Sequence, residues 1–167
     1  MKKLALILLS VMLLTSFGFS AYKEYVPAPK MVVFGDLGLA VSDFKGLFWD
    51  AGIQYGLSKN LFGEFLFDFY LDPAGIWGDV VAYGFNVNGI YKHPLPDKLN
   101  LFGKAGINLT MVSGGGGSKF GINAGGGVEY LLSEGIGVRA GVTLKMAFET
   151  GATATWFKLY GGFLYKF

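Results

Sequence analysis

Three pairs of charged residues are spaced so that both members point to the same side of an extended chain: Glu64 with Asp68, Arg139 with Lys145, and Lys158 with Lys166. Side chains alternate sides along a strand, so residues an even number apart share a face. The other parity of each stretch is uncharged, carrying Phe65, Phe67 and Phe69 in the first, Ala140, Val142 and Leu144 in the second, and Leu159, Phe163 and Tyr165 in the third. Carboxylates and cations held this way suit mutual pairing inside an enclosed space. Catalytic arrangements are harder to find. The one histidine, His93, lies in Lys92-His93-Pro94-Leu95-Pro96-Asp97-Lys98, without the Ser or Thr that a Ser–His hydrolase needs. There is no cysteine, and a metal site would want several His or Cys ligands. Gly114 to Gly117 lacks the Lys and Ser/Thr of a phosphate loop. A non-enzymatic protein without metal or cofactor is expected.

The elements that position these charges are read from period-two alternation. Met31, Val33, Leu37, Leu39 and Val41 oppose Asp36; Trp49, Ile53, Tyr55 and Leu57 oppose Asp50 and Gln54. Phe65, Phe67 and Phe69 oppose Glu64 and Asp68; Val81, Tyr83, Phe85, Val87 and Tyr91 oppose Asn86, Asn88 and Lys92. Leu99, Leu101, Ile107 and Leu109 oppose Lys104 and Asn108; Phe120, Ile122, Val128 and Tyr130 oppose Asn123 and Glu129. Ile136, Val138, Val142 and Leu144 oppose Arg139 and Lys145, and the terminal stretch sets Phe157, Leu159, Phe163, Tyr165 and Phe167 against Trp156, Lys158, Tyr160 and Lys166. Most of these eight stretches reach the roughly 9 to 11 residues that a tilted strand needs to cross a bilayer. An even number closes a bacterial barrel with both chain ends on one side. A Lys or Arg on the lipid face at mid-bilayer costs about 2 to 4 kcal/mol, which directs the charges inward. The expected fold is all-β, an eight-stranded antiparallel up-and-down transmembrane β-barrel occupying residues 31–167.

Lys2 and Lys3, the apolar run that follows them, and Ser16, Gly18 and Ser20 have the form of a cleavable secretory signal, assigned to residues 1–21. Residues 22–30, with Pro27 and Pro29, form a short periplasmic lead-in. Once Lys2 and Lys3 are set aside, twelve basic and twelve acidic residues remain, so the basic footprint of a nucleic-acid binder is missing. With both ends periplasmic, the periplasmic turns fall at 58–60, 92–98 and 132–135 and the outer loops at 42–46, 72–79, 113–118 and 149–154. All are short, which does not favour a large adhesive surface. Trp49, Tyr55, Tyr83, Tyr91, Tyr130, Tyr165 and Phe167 lie near the ends of the apolar faces, where interfacial aromatic girdles sit.

The stretch from Phe102 to Val142 contains Lys104-Ala105-Gly106-Ile107-Asn108, Asn123-Ala124-Gly125-Gly126-Gly127-Val128-Glu129-Tyr130 and Ile136-Gly137-Val138-Arg139-Ala140-Gly141. With the terminal Phe167, it resembles the small eight-stranded outer-membrane barrels, the family of the OmpA transmembrane domain and the Opacity-type surface proteins. The resemblance implies location in the outer membrane of a Gram-negative-type bacterium, with lipid as surroundings. It also implies an assembly signal for the barrel assembly machinery at Phe163, Tyr165 and Phe167, and a monomer is favoured. No peptidoglycan-binding domain follows the barrel, so a cell-wall tether is not expected.

An eight-stranded interior is just wide enough to be filled by side chains or to hold one small ligand. The charges then fall into two expected clusters. The lower one gathers Glu129, Lys104 and Arg139, with Glu64 as a candidate fourth member, and the upper one gathers Asp36, Asp50 and Asp68 around Lys145 and Lys158. Inward glycines such as Gly106, Gly125 and Gly141 leave open a second reading, a narrow porin-like channel, if Tyr70, Phe102, Trp156 and Tyr160 do not fill the space. A third, a soluble lipocalin-like carrier, would turn the charges outward, and parity alone does not say which face is in.

Overall fold

A computed structural model describes residues 31–71, 82–113, 117–149 and 151–167. The expected signal at 1–21, the lead-in at 22–30, the loop at 72–79 and most of the Gly114 to Gly117 run lie outside them. The strands are β1 (Met31–Ser42), β2 (Gly46–Gly56), β3 (Leu61–Leu71), β4 (Ala82–Pro94), β5 (Leu99–Val112), β6 (Gly117–Leu131), β7 (Ile136–Glu149) and β8 (Ala152–Lys166). Each pairs with its sequence neighbour, and β8 returns antiparallel to β1, closing the barrel. Closure leaves no open sheet edge, so backbone groups are satisfied within the ring, which a bilayer requires. The β1–β8 seam ends with the Phe167 N–H donating to the Met31 carbonyl at 2.9 Å, and on the β7 side of the same strand the Lys166 N–H donates to the Gly135 carbonyl at 2.7 Å.

Two turns at the terminus end of the barrel, where β1 begins and β8 finishes, share one construction. In each, a Leu-Ser pair donates its backbone N–H groups to the carbonyl of the first residue of the next strand: Leu57 and Ser58 to Leu61, Leu132 and Ser133 to Ile136. The serine Oγ accepts back from the N–H of that same residue at 3.2 Å in both turns. A serine hydroxyl that bonds its own turn in this way replaces a ladder hydrogen bond and sets the register of the strand that follows.

The faces sort by polarity. Phe65 and Val142 are 48% and 42% exposed, whereas Glu64, Arg139 and Lys145 are 2%, 3% and 1% exposed. The apolar parity therefore lies outside and the charged parity inside, which contradicts the lipocalin-like alternative. The chain has that alternation because an outward charge would meet hydrocarbon and an inward one can meet another charge. Exposed Tyr55, Tyr91, Tyr130 and Tyr165 sit at the same end of β2, β4, β6 and β8, paired in register with Met31, Leu61, Leu99 and Ile136. They form a ring at the terminus end, with Trp49 and Tyr83 exposed toward the other.

Several boundaries differ from the sequence expectation: Ser42 and Gly46 end β1 and open β2, Gly117 and Ser118 belong to β6, and Glu149 and Ala152 to Ala154 go on pairing across β7 and β8. Lys92 belongs to β4 and not to a 92–98 turn, because Lys92, His93 and Pro94 go on pairing with Phe102, Leu101 and Asn100 of β5. The proline sits at the strand end, where its missing N–H costs no interior ladder bond. Ile107, exposed at the middle of β5, offers a direct check on which face meets lipid. Ile107→Lys is expected to lower unfolding stability in lipid vesicles by about 2 to 4 kcal/mol, whereas Ile107→Leu leaves the denaturant midpoint unchanged.

Candidate functional site

Among the described residues, five carboxylates and five cations are buried inside the ring: Asp36, Asp50, Glu64, Asp68 and Glu129, with Lys92, Lys104, Arg139, Lys145 and Lys158. Register explains how they meet. Asp36, Asp50 and Asp68 are successive Cα partners on β1, β2 and β3, a row of three like charges side by side. Directly opposed like charges destabilise a sheet, so each acid needs a cation arriving from elsewhere. The cations come from β7 and β8, on the other side of β1 from the acid row. Lys158 of β8 donates to both Asp50 oxygens at 2.8 and 2.7 Å and to Asp68, and Lys145 of β7 donates to Asp68. Asn86, one strand over from Asp68, adds a hydrogen bond to it at 2.8 Å.

Lower in the lumen, Glu64 is held between two carboxamides on its neighbouring strands, accepting from Gln54 at 3.0 Å and Asn88 at 2.7 Å. Lys104 reaches it at 3.5 Å, and the Arg139 guanidinium lies 3.7 Å away. Arg139 also faces Asp36 at 3.4 Å. Its carbon centre is 4.1 Å from the Phe34 ring centroid, 5.3 Å from Phe102 and 5.4 Å from Tyr160, a cation–π enclosure. Nearest the terminus end, Lys92 donates to both oxygens of Glu129 at 2.9 and 2.7 Å.

Both expected clusters are therefore regrouped. Asp36 joins Arg139 and not the upper group. The reason is Gly162, which is the Cα partner of Asp36 across β1–β8 and of Arg139 across β7–β8. With no side chain there, the guanidinium passes over the intervening strand. A Cβ at 162 would stand 2.2 Å from an Asp36 carboxylate oxygen. Glu129 is the register partner of Arg139 as expected, yet it pairs with Lys92 and not with Lys104 or Arg139. Arg139 is drawn toward two carboxylates and three rings, which leaves Glu129 to the cation at its own level. Lys92 was absent from the expected set, although its parity with Asn86 and Asn88 marked it as inward. Lys145 and Lys158 with Asp50 and Asp68 form the upper group as read from the sequence.

Above this quartet lies a cluster of rings. Phe44 lies 5.0 Å from Tyr70 and 5.5 Å from Trp156 between centroids, Phe48 lies 6.0 Å from Tyr70, and the Trp156 indole N–H donates to the Tyr70 hydroxyl at 3.1 Å. Lys158 sits 4.1 Å from the Phe48 ring centroid, so the rings cover the cations directly. Tyr70, Phe102, Trp156 and Tyr160 all fill the interior.

Removing one member of a buried pair costs about 3 to 5 kcal/mol, because the other is left charged without compensation. Lys158→Met is expected to lose that much unfolding stability, and adding Asp50→Asn to it recovers most of the loss; gel-shift unfolding by heat in detergent reads both. The regrouping of Glu129 is checked by double-mutant cycles. Lys92→Met with Glu129→Gln should show a coupling above about 1 kcal/mol, and Lys104→Met with Glu129→Gln a coupling below about 0.5 kcal/mol.

No family model matches the chain, and no curated protein sequence matches it. Solved structures do. Neisserial surface protein A superposes with a TM-score of 0.69 at 17% identity, covering 86% of this chain and 100% of that one. The N-terminal β-barrel domain of Pseudomonas aeruginosa OprF gives 0.65 at 16% identity, covering 86% and 100%. The outer membrane enzyme PagL gives 0.53 at 19% identity, covering 81% and 97%. With its closed eight-stranded ring, apolar perimeter and charged interior, the chain has the fold of the small outer-membrane β-barrels.

Proposed function

We propose that the protein is an integral outer-membrane barrel that is non-enzymatic and structural, with an ion-paired interior that does not conduct. The observation that carries this reading is the continuous fill of the lumen, from the Phe44, Phe48, Tyr70 and Trp156 rings down through the Lys145 and Lys158 quartet to Arg139 in its aromatic enclosure. An enzyme can share this fold, as PagL does, so the fold alone does not decide. Against catalysis stands His93, exposed at the end of β4 on the outward parity and paired in register with Leu101 and not with a nucleophile. Outward Phe163, Tyr165 and Phe167 support recognition of the terminal strand by the barrel assembly machinery, with bilayer lipid around a monomer.

A narrow channel is the second reading, favoured by one observation. Asn123, Thr143, Tyr160 and Arg139 hold buried polar atoms without hydrogen-bond partners near the glycine-lined wall of β6 and β7, and such groups suit a hydrated path. Planar-bilayer recording of refolded protein separates the two. The structural reading expects no discrete conductance steps across a wide voltage range; reproducible steps that change with Trp156→Ala would replace it with the channel.

A further inference from the structure

The chain repeats itself after four strands. Phe34, Gly35 and Gly38 of β1 recur as Phe102, Gly103 and Gly106 of β5, and the Tyr55, Leu57 and Ser58 that lead from β2 into its turn recur as Tyr130, Leu132 and Ser133 leading out of β6. Register carries the repeat into the fold. Met31 faces Tyr55 as Leu99 faces Tyr130, Gly56 faces Phe62 as Leu131 faces Gly137, and Leu61 faces Tyr91 as Ile136 faces Tyr165. The two seams, β4–β5 and β8–β1, keep the same parity but are offset by two residues: Lys92 faces Phe102, whereas Lys166 faces Val32 and not Phe34. The barrel is therefore two four-stranded halves, β1–β4 and β5–β8. Equivalent positions lie four strands apart in a ring of eight, on opposite walls.

The sign of the inner charge is what fails to repeat. Asp36 and Glu64 of the first half stand where Lys104 and Arg139 stand in the second. Of the ten charged side chains buried among the described residues, the first half holds four acids and one base, and the second holds four bases and one acid. Every ion pair between two of those ten joins one half to the other. Glu64 and Arg139, equivalent positions on opposite walls, stand 3.7 Å apart. A half closing on its own like would set Glu64 against Glu64 in that place, or Arg139 against Arg139, and buried like charges repel without water to screen them.

We propose that Asp36, Glu64, Lys104 and Arg139 form a pairing code on the inner faces of the two halves. The anionic first half closes on the cationic second half of its own chain and rejects the like half of a second copy, which the repeated register would otherwise admit. Discrimination of this kind rests on repulsion from the wrong partner as much as on attraction to the right one. The partner that fits is a four-stranded unit of matching register and opposite inner charge. The inference needs the barrel alone, and a conducting lumen would leave it standing.

The test refolds the full chain into lipid vesicles, reads the closed monomer by its heat-dependent gel shift, and uses a chemical crosslinker to report chains joined to a second copy. D36K/K104D and E64R/R139E each exchange signs at one equivalent pair only, which brings like charges together across the halves. Each is expected to lower the ratio of closed to unclosed chain by at least about tenfold. D36K/E64R/K104D/R139E has the same composition with the polarity of both halves reversed at this level, and is expected to recover most of that loss. The neutral variant D36N/E64Q/K104M/R139M is expected to close while raising the crosslinked fraction. A two-residue exchange that closes like the unaltered chain overturns the proposal. So does a four-residue exchange that closes no better than either two-residue exchange, or a neutral variant whose crosslinked fraction is unchanged.

Discussion

A charge cannot be left alone in the dry interior of a ring whose outside is hydrocarbon. Its position here is constrained twice. Outward placement is opposed by lipid, and inward placement without a partner is opposed by the cost of desolvation. Among the described residues, the ten buried acidic and basic side chains answer both constraints by matching five against five. Four of the five acids lie on β1 to β3, and three of the five bases lie on β7 and β8; Lys145–Asp68 and Arg139–Glu64 cross the lumen, whereas Arg139–Asp36 and Lys158–Asp50 each span one intervening strand. Backbone ladders join only adjacent strands, whereas Lys145–Asp68 and Arg139–Glu64 join β7 to β3. The pairs thus fix how opposite walls face each other, a matter of specificity more than of net stability, since buried pairs often break even against apolar replacements.

The glycines follow from the same constraint. Gly162 is empty space through which Arg139 meets Asp36, and a Cβ there would also stand 2.1 Å from the Gly35 carbonyl oxygen. At Gly141 a Cβ would stand 2.7 Å from the Tyr160 hydroxyl, so its absence gives the ring below Lys158 a place to lie. Long side chains in a narrow barrel need neighbours with none, and the large and the small alternate around the ring for that reason.

Much of this was legible in the sequence because alternation is a one-dimensional signal. Strand number, closure and the shared parity of Glu64, Asp68, Arg139, Lys145 and Lys158 all follow from period two and an even count; whether Tyr70, Phe102, Trp156 and Tyr160 fill the interior is a question of volume that alternation leaves open. Pairing across the lumen is not one-dimensional. Hairpin counting finds the register partner of Glu129, which is Arg139, but cannot tell that the guanidinium leans over Gly162 to a strand more than one hundred residues earlier. Lys92 stands outside the expected clusters because Pro94 and Pro96 look like a turn, although ladder pairing persists through residue 94. Which face is inside is also open to parity alone, and the burial of Glu64, Arg139 and Lys145 beside exposed Phe65 and Val142 decides it.

The sidedness of the ring is tested most directly by nuclear Overhauser contacts in nanodiscs with protonated acyl chains and methyl-labelled protein. The account predicts contacts from lipid methylenes to Val87, Ile107 and Val142 and none to the Lys145 or Arg139 side chains. Acyl-chain contacts at Lys145 or Arg139, with water contacts along Val87, Ile107 and Val142, would contradict it.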